Sequence, residues 1–80
     1  MKIKLLLFGI SSDIVGSSST EIDVSQNCTV KGLKEELLFT YPGLINIHSY
    51  AIAINEAYAS DAISIQENDI LAIIPPVSGG

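Results

Sequence analysis

A single stretch, Thr29 to about Thr40, repeats its apolar residues at helical spacing, and it is flanked by segments that alternate like strands. This ratio of one long helix to several short strands limits the fold more than any other feature. Val30, Leu33, Leu37 and Tyr41 fall on one stripe, while Lys31, Lys34, Glu35 and Glu36 lie largely away from it. Thr29 supplies an N-cap oxygen, and Pro42-Gly43 stops the helix. Gly32 is out of place there and should cost about 1 kcal/mol relative to alanine. One helix covers one face of a sheet, so the opposite face is expected to stay partly open.

The strands follow from period-two alternation. Lys2 to Phe8 places Ile3, Leu5 and Leu7 on one face, and Lys2, Lys4, Leu6 and Phe8 on the other. The lysines mark the second face as the outer one. Gly9 to Ser19 reads as a polar connection with a helical turn around Ser12 to Val15, and Ser17 to Ser19 as a loop. Glu21 to Val24 gives a second strand with Ile22 and Val24 inward. Leu44 to Ser49 reads as irregular, and Tyr50 to Ile54 as a third strand closed by a turn at Asn55-Glu56. Ala62 to Ile65 is predicted as a short strand with Ile63 and Ile65 inward. Gln66 to Asp69 is a polar turn before the last strand, Ile70 to Ile74. The order fits an α+β chain of the β-grasp, ubiquitin-like type: a mixed sheet with one main helix packed across one face.

The chain is 48% hydrophobic and 16% charged over 80 residues, enough for one domain whose apolar residues exceed what its core can take. The excess points to a partner-facing surface. The formal net charge is −5, and all four cations are lysines, which excludes a basic nucleic-acid-binding face and favours a partner with a basic surface. Cys28 is the one cysteine, so neither a disulfide framework nor a cysteine-based metal site is expected. It precedes the helix and reads as structural rather than as a sulfur relay. The apolar run Leu5 to Phe8 is too short for a secretory signal, and no stretch approaches a membrane span. Cytoplasmic residence is the expectation. His48 stands alone in a loop, and no Ser-His-Asp set, phosphate loop or carboxylate pair stands out. No metal site is predicted.

The sequence ends Pro75-Pro76-Val77-Ser78-Gly79-Gly80. The prolines cannot continue a central strand. Residues 1–76 are read as the folded body and residues 77–80 as a flexible tail, able to reach roughly 13–14 Å beyond it. Glycines without a Cβ allow another protein's backbone to close around such a tail.

These residues together resemble the family of small, sulfur-carrier subunits of molybdopterin synthase. The resemblance runs through Ile3-Lys4-Leu5-Leu6-Leu7-Phe8-Gly9, Asp13-Ile14-Val15-Gly16, Thr29-Val30-Lys31-Gly32-Leu33, Ala53-Ile54-Asn55 and Asn68-Asp69-Ile70 to the terminal hexapeptide. It implies that an E1-like adenylyltransferase activates the Gly80 carboxylate with ATP and that a sulfur donor converts it to a thiocarboxylate. Val77, Ser78, Gly79 and Gly80 would then enter the large, catalytic subunit of the synthase. There the sulfur passes to cyclic pyranopterin monophosphate. Such a chain binds no cofactor of its own and carries no catalytic residue beyond Gly80. Ser12 stands where relatives often carry an arginine, so any contact that arginine makes with the E1-like partner must be made otherwise. A carrier feeding thiazole synthesis and a ubiquitin-like protein modifier are the competing readings.

Phe8, Tyr58 and Ile74, with Pro75 and Pro76, are the expected partner-binding residues. Phe8 and Ile74 fall on the outer face, and Tyr58 in a loop between strands. Core packing is the alternative for the first three. Glu67 and Asp69 sit where a turn needs polar residues in any case, and Asp13 is read as capping or solvated.

Overall fold

The computed structural model describes residues 1–46 and 50–75. The elements run β1 (Lys2–Leu7), α1 (Ile10–Val15), β2 (Ser19–Asp23), α2 (Val30–Thr40), a 3-10 helix (Pro42–Asn46), β3 (Ala51–Ile54), β4 (Ala57–Ala59) and β5 (Ile70–Ile74). The sheet has the order β2-β1-β5-β3-β4. Its two central strands, β1 and β5, pair in parallel with Leu5 opposite Leu71 and Leu7 opposite Ile73; every other pairing is antiparallel.

The alternation in β1 is realised as expected. Ile3, Leu5 and Leu7 are buried, and with Ile52, Leu71 and Ile73 they form the sheet's side of the core. Val30, Leu33 and Leu37 of α2 close over them, with Tyr41 partly buried at the end of the stripe. Each such aliphatic side chain contributes about 1.5–3 kcal/mol when fully buried.

Thr29 caps α2 as predicted, its hydroxyl accepting the Gly32 N–H at 3.2 Å. The glycine has a packing reason as well. A Cβ at Gly32 would stand 3.3 Å from Cys28 Sγ and 3.6 Å from Thr29 Oγ1, crowding the cap.

The segment expected to be a strand, Ala62 to Ile65, is instead a brace for this helix. Val30 N–H donates to the Ile63 carbonyl at 2.9 Å and Lys31 N–H to the Asp61 carbonyl at 3.1 Å. These are donors that a helix start leaves without intrahelical partners. Ile65 N–H in turn donates to the Cys28 carbonyl at 2.7 Å, and Ser64 bridges Thr29. The segment's backbone is committed to α2, so it joins no sheet. Ile65 is buried as expected, whereas Ile63 is exposed, because the chain curves over the helix end rather than running straight.

The fourth strand is β4, reached by a two-residue hairpin turn. Asn55 and Glu56 both adopt positive φ, 49° and 73°, the geometry whose twist matches antiparallel strands. Tyr58 therefore lies in a strand and not in a loop.

The helical turn before residue 16 is a short α1, ended by Gly16 at φ 87°, whose N–H donates to the Ser12 carbonyl at 2.8 Å. The 3-10 helix begins earlier than the irregular connection expected at Leu44, and Ile47, His48 and Ser49 lie outside the described residues. It packs on α1 through Gly43, where an added Cβ would come within 2.9 Å of Ile14 Cγ2.

Gly43→Ala should accordingly lose about 1–3 kcal/mol of stability through overpacking. Ile14→Ala removes the obstructing methyl, so the double variant should lose less than the sum of the single losses in urea titration. Additive losses would place the cost of Gly43→Ala elsewhere.

Candidate functional site

The face of the sheet away from α2 carries the site. Along β1 that face presents Lys2, Lys4 and Leu6; along β5 it presents Ile70, Ala72 and Ile74. The lysines stand opposite Glu21 and Asp23 of β2, so that margin is polar. The other half, over β5, β3 and β4, is apolar.

There the side chains leave a hollow of about 670 Å³. Ala53 and Ala72, paired across β3 and β5, form its floor. Leu6, Phe8, Tyr58, Ile70 and Ile74 make its walls, and Asn55 and Glu56 close one end. Small residues at the centre and large ones at the margin give a concave surface without any break in the sheet. Phe8 is 51% exposed, Tyr58 75% and Ile70 45%. The structure thus brings together Phe8, Tyr58 and Ile74, and it places none of them in the core. Exposed aromatics around an apolar depression are the anatomy of a protein-docking surface.

The hollow lies where β5 ends. Pro75 follows Ile74 directly, and its Cγ sits 3.7 Å from where a Cβ on Gly9 would be. Gly9 has φ 56° and ψ −135°, a conformation open to glycine, so the chain turns sharply out of β1 beside the proline. Pro76, Val77, Ser78, Gly79 and Gly80 lie outside the described residues.

Two polar devices hold the walls in place, and sequence reasoning missed the first. Ser11 is fully buried; its hydroxyl donates to the Phe8 carbonyl at 2.6 Å and accepts the Phe8 N–H at 3.1 Å. One side chain therefore satisfies both backbone groups of Phe8, the residue that follows β1. A serine three positions after an outer-face aromatic was the available signal.

The second device ties the β3–β4 turn to the start of β5. Asn55 Oδ1 accepts the Ile70 N–H at 3.0 Å, and Asn55 Nδ2 donates to Asp69 Oδ1 at 3.0 Å. Asp69 Oδ2 also accepts the Gln66 N–H at 2.8 Å. The Asp69 carboxylate is thus occupied in organising its own turn, while Glu67 and Asp13 are exposed.

Cys28 is buried on the opposite side of the sheet. Burial, and then the nearby Glu36 carboxylate, push its thiol above the usual range, which suits a structural residue rather than a nucleophile. Among the described residues no group of histidine, cysteine or carboxylate side chains is arranged to hold a metal ion, and no helix is long and apolar enough to cross a membrane. The hollow is suited to receive an apolar projection, with Glu56 as the carboxylate at its margin.

A five-stranded mixed sheet with one long helix across one face and a docking hollow on the other defines a β-grasp, ubiquitin-like domain. SAMP1 from Haloferax volcanii has the same fold, with a TM-score of 0.86 at 25% identity over 100% of both chains. The chain belongs to the ThiS family, whose model matches residues 5–80. The molybdopterin synthase sulfur carrier subunit of Arabidopsis thaliana is 35% identical over 81 residues, covering 100% of this chain and 84% of the relative. A chain from the complex of subunits 1 and 2 of the molybdopterin-converting factor of Helicobacter pylori superposes with a TM-score of 0.69, at 23% identity and 100% coverage of both chains.

Two outcomes follow from this geometry. Ser11→Ala should cost about 1–3 kcal/mol, because the Phe8 amide loses its buried partner. Its specific mark is faster hydrogen exchange at the Phe8 amide; unchanged exchange there would show that Ser11 does not hold this wall. Cys28, with a raised pKa, carries less thiolate than an unhindered cysteine at neutral pH. Iodoacetamide should modify it roughly tenfold more slowly than the urea-unfolded chain, with the rate climbing at higher pH than for a free thiol.

Proposed function

We propose that this chain is a sulfur-carrier subunit of molybdopterin synthase, loaded and unloaded at the carboxylate of Gly80. The observation that carries the reading is the apolar hollow at the root of Pro75, in a chain whose family match extends through Gly80. The Arabidopsis relative carries this function in its name.

The chemistry follows from what a carboxylate lacks. Its charge repels nucleophiles, and oxide is a poor leaving group. Attack of the Gly80 carboxylate on ATP within an E1-like adenylyltransferase, with loss of pyrophosphate, gives an acyl-adenylate whose leaving group is AMP. A persulfide or comparable sulfur donor, with reductant, then replaces AMP and leaves a thiocarboxylate. That sulfur is ionised and polarisable, suited to attack cyclic pyranopterin monophosphate held by the large subunit. Hydrolysis afterwards returns the Gly80 carboxylate and leaves the sulfur on the pterin.

Each segment of this chain has a role in that cycle. Phe8, Tyr58, Ile74 and Pro75 form the docking surface for the large subunit. Pro76 stiffens the exit, and Val77, Ser78, Gly79 and Gly80 thread the partner's active site. A glycine at the reacting carbonyl leaves it open to attack. ATP belongs to the activating partner, so this chain needs no cofactor of its own. The carrier works in a heteromeric assembly with the large subunit in the cytoplasm; a two-subunit complex is the context of the Helicobacter neighbour.

The decisive experiment incubates the chain with ATP, an E1-like enzyme and a sulfur donor, and then weighs it intact. The expected gain is the exchange of one oxygen for sulfur, absent when Gly80 is deleted, with the fold unchanged by circular dichroism. Retained transfer without Gly80 overturns the reading. High-mass lysine conjugates would assign the chain to the protein modifiers, and co-purification with a thiazole synthase to the thiamine pathway. Phe8→Ala and Tyr58→Ala should each weaken binding to the large subunit by about tenfold or more while leaving thermal stability nearly unchanged. The reverse pattern would make the hollow a packing feature.

A further inference from the structure

We propose that the open edge of β2, together with the groove between β2 and α2, receives an extended basic peptide that adds to the sheet as a further strand. This surface is distinct from the outer-face hollow; their lining residues do not overlap.

The backbone phase identifies the free groups. Val24 N–H donates to the Met1 carbonyl at 2.9 Å, and Leu7 N–H to the Ser18 carbonyl at 2.9 Å. With Ile3 opposite Ile22 and Leu5 opposite Thr20, the even-numbered residues of β2 are therefore the ones bonded to β1. Ser19, Glu21 and Asp23 point their N–H and C=O groups the other way, to an edge that has no neighbouring strand among the described residues. Ser17 caps the first of them: its hydroxyl donates to the Ser19 carbonyl at 2.6 Å and accepts the Ser19 N–H at 3.3 Å. The edge is blunted at that end; further along, the Thr20 hydroxyl reaches the Glu21 carbonyl at 3.5 Å, which leaves the Glu21 N–H and both backbone groups of Asp23 open.

Beside the open part is a groove of about 690 Å³. Ile22 and Phe39 give it apolar walls, and Phe39 is 88% exposed, an unusual position for a phenylalanine with no packing partner. Glu35 and Glu36 of α2 also line it, beside Asp23, whose side chain the strand register puts on the outer face opposite Lys2, and no lysine lines it. Among the described residues the only ion pair is Lys34–Asp61, so the groove's carboxylates have no cation within bonding distance. An incoming strand would exchange backbone hydrogen bonds with Glu21 and Asp23, set alternate apolar side chains against Ile22 and Phe39, and bring lysine or arginine to the carboxylates.

Charge also decides against a second copy of the chain. Antiparallel pairing of two β2 edges would set Glu21 and Asp23 against the same acidic residues of the partner, and like charges directly opposite one another destabilise a strand pair.

The test titrates the isotope-labelled full chain with a short valine–isoleucine–valine peptide flanked by lysines, and with its glutamate-flanked twin. Expected are amide shifts at Glu21 to Asp23 and along Glu35 to Phe39, slowed exchange of the Glu21 and Asp23 amides, and roughly tenfold weaker binding of the acidic twin. Phe39→Ala, and separately the double charge reversal Glu35→Lys with Glu36→Lys, should weaken the lysine peptide about fivefold or more. Phe39 and Glu35 are exposed, while Glu36 is half-buried and accepts the Ser25 hydroxyl at 3.4 Å, so an unchanged amide spectrum without peptide is required of each variant to confirm that the fold survives. Absence of shifts, shifts confined to the residues around Phe8 and Tyr58, or equal binding of both peptides would overturn the proposal. So would concentration-dependent shifts at β2 without peptide, which would make the edge a self-association surface. None of these readouts involves Gly80, so they stand or fall apart from sulfur loading.

Discussion

The parallel pairing of β1 with β5 is the contact on which the rest depends. It joins residues more than sixty positions apart, so the intervening chain must cross over the sheet, and α2 is the element that makes the crossing. The pairing puts Leu5, Leu7, Leu71 and Ile73 side by side beneath Val30, Leu33 and Leu37. It also makes the two strands finish at the same end of the sheet. The exit of β5 at Pro75 therefore lies against Gly9, where β1 turns away. An antiparallel arrangement would have sent the tail out beside Met1, far from Phe8. The direction of one strand pair thus fixes which aromatic residue stands at the base of the terminal segment.

With a single long helix, only one face of this sheet can be covered, and the exposed face is divided by residue size. Lys2 and Lys4 keep its β1–β2 margin hydrated, opposite Glu21 and Asp23. Ala53 and Ala72 keep the other half shallow at the centre, so Phe8, Tyr58 and Ile70 stand proud around it. A flat aliphatic face would promote nonspecific association, whereas a small-floored hollow admits one complementary projection. Rigidity is supplied locally. Ser11 fixes the Phe8 backbone, and Asn55 with Asp69 fixes the β4 side. A surface held in this way loses little conformational freedom on docking.

What could be read from sequence was what local forces determine. The Thr29 cap, the Val30–Leu33–Leu37 stripe and the two-faced β1 each follow from spacing along a few residues. Phe8 and Ile74 were legible as outward-facing apolar residues and Tyr58 as a loop residue beside them, and the structure brings the three together around one hollow. The errors arose where distant segments take over. Ala62 to Ile65 has an apolar alternation suited to a strand, but the unsatisfied amides of Val30 and Lys31 claim the carbonyls of Ile63 and of Asp61 just before the segment. The turn at Asn55-Glu56 was read, but β4 beyond it was missed because Ala57–Ala59 is too short to show a period-two pattern. Ser11 looked like loop polarity, because a serine three positions after Phe8 does not by itself show that its hydroxyl turns back onto the Phe8 backbone.

The same topology leaves β2 and β4 as the two edges, and they are treated differently. β4 is three residues long and follows a turn tied into β5, which leaves little edge to extend. β2 is longer, and its capping by Ser17 stops at Ser19. The groove beside it opens on the helix side of the sheet, while the hollow opens on the other. A partner covering Phe8 and Tyr58 therefore takes up none of the residues that line the groove around Ile22 and Phe39. A peptide held at the β2 groove would leave the outer hollow accessible, so the two surfaces can be occupied independently of one another.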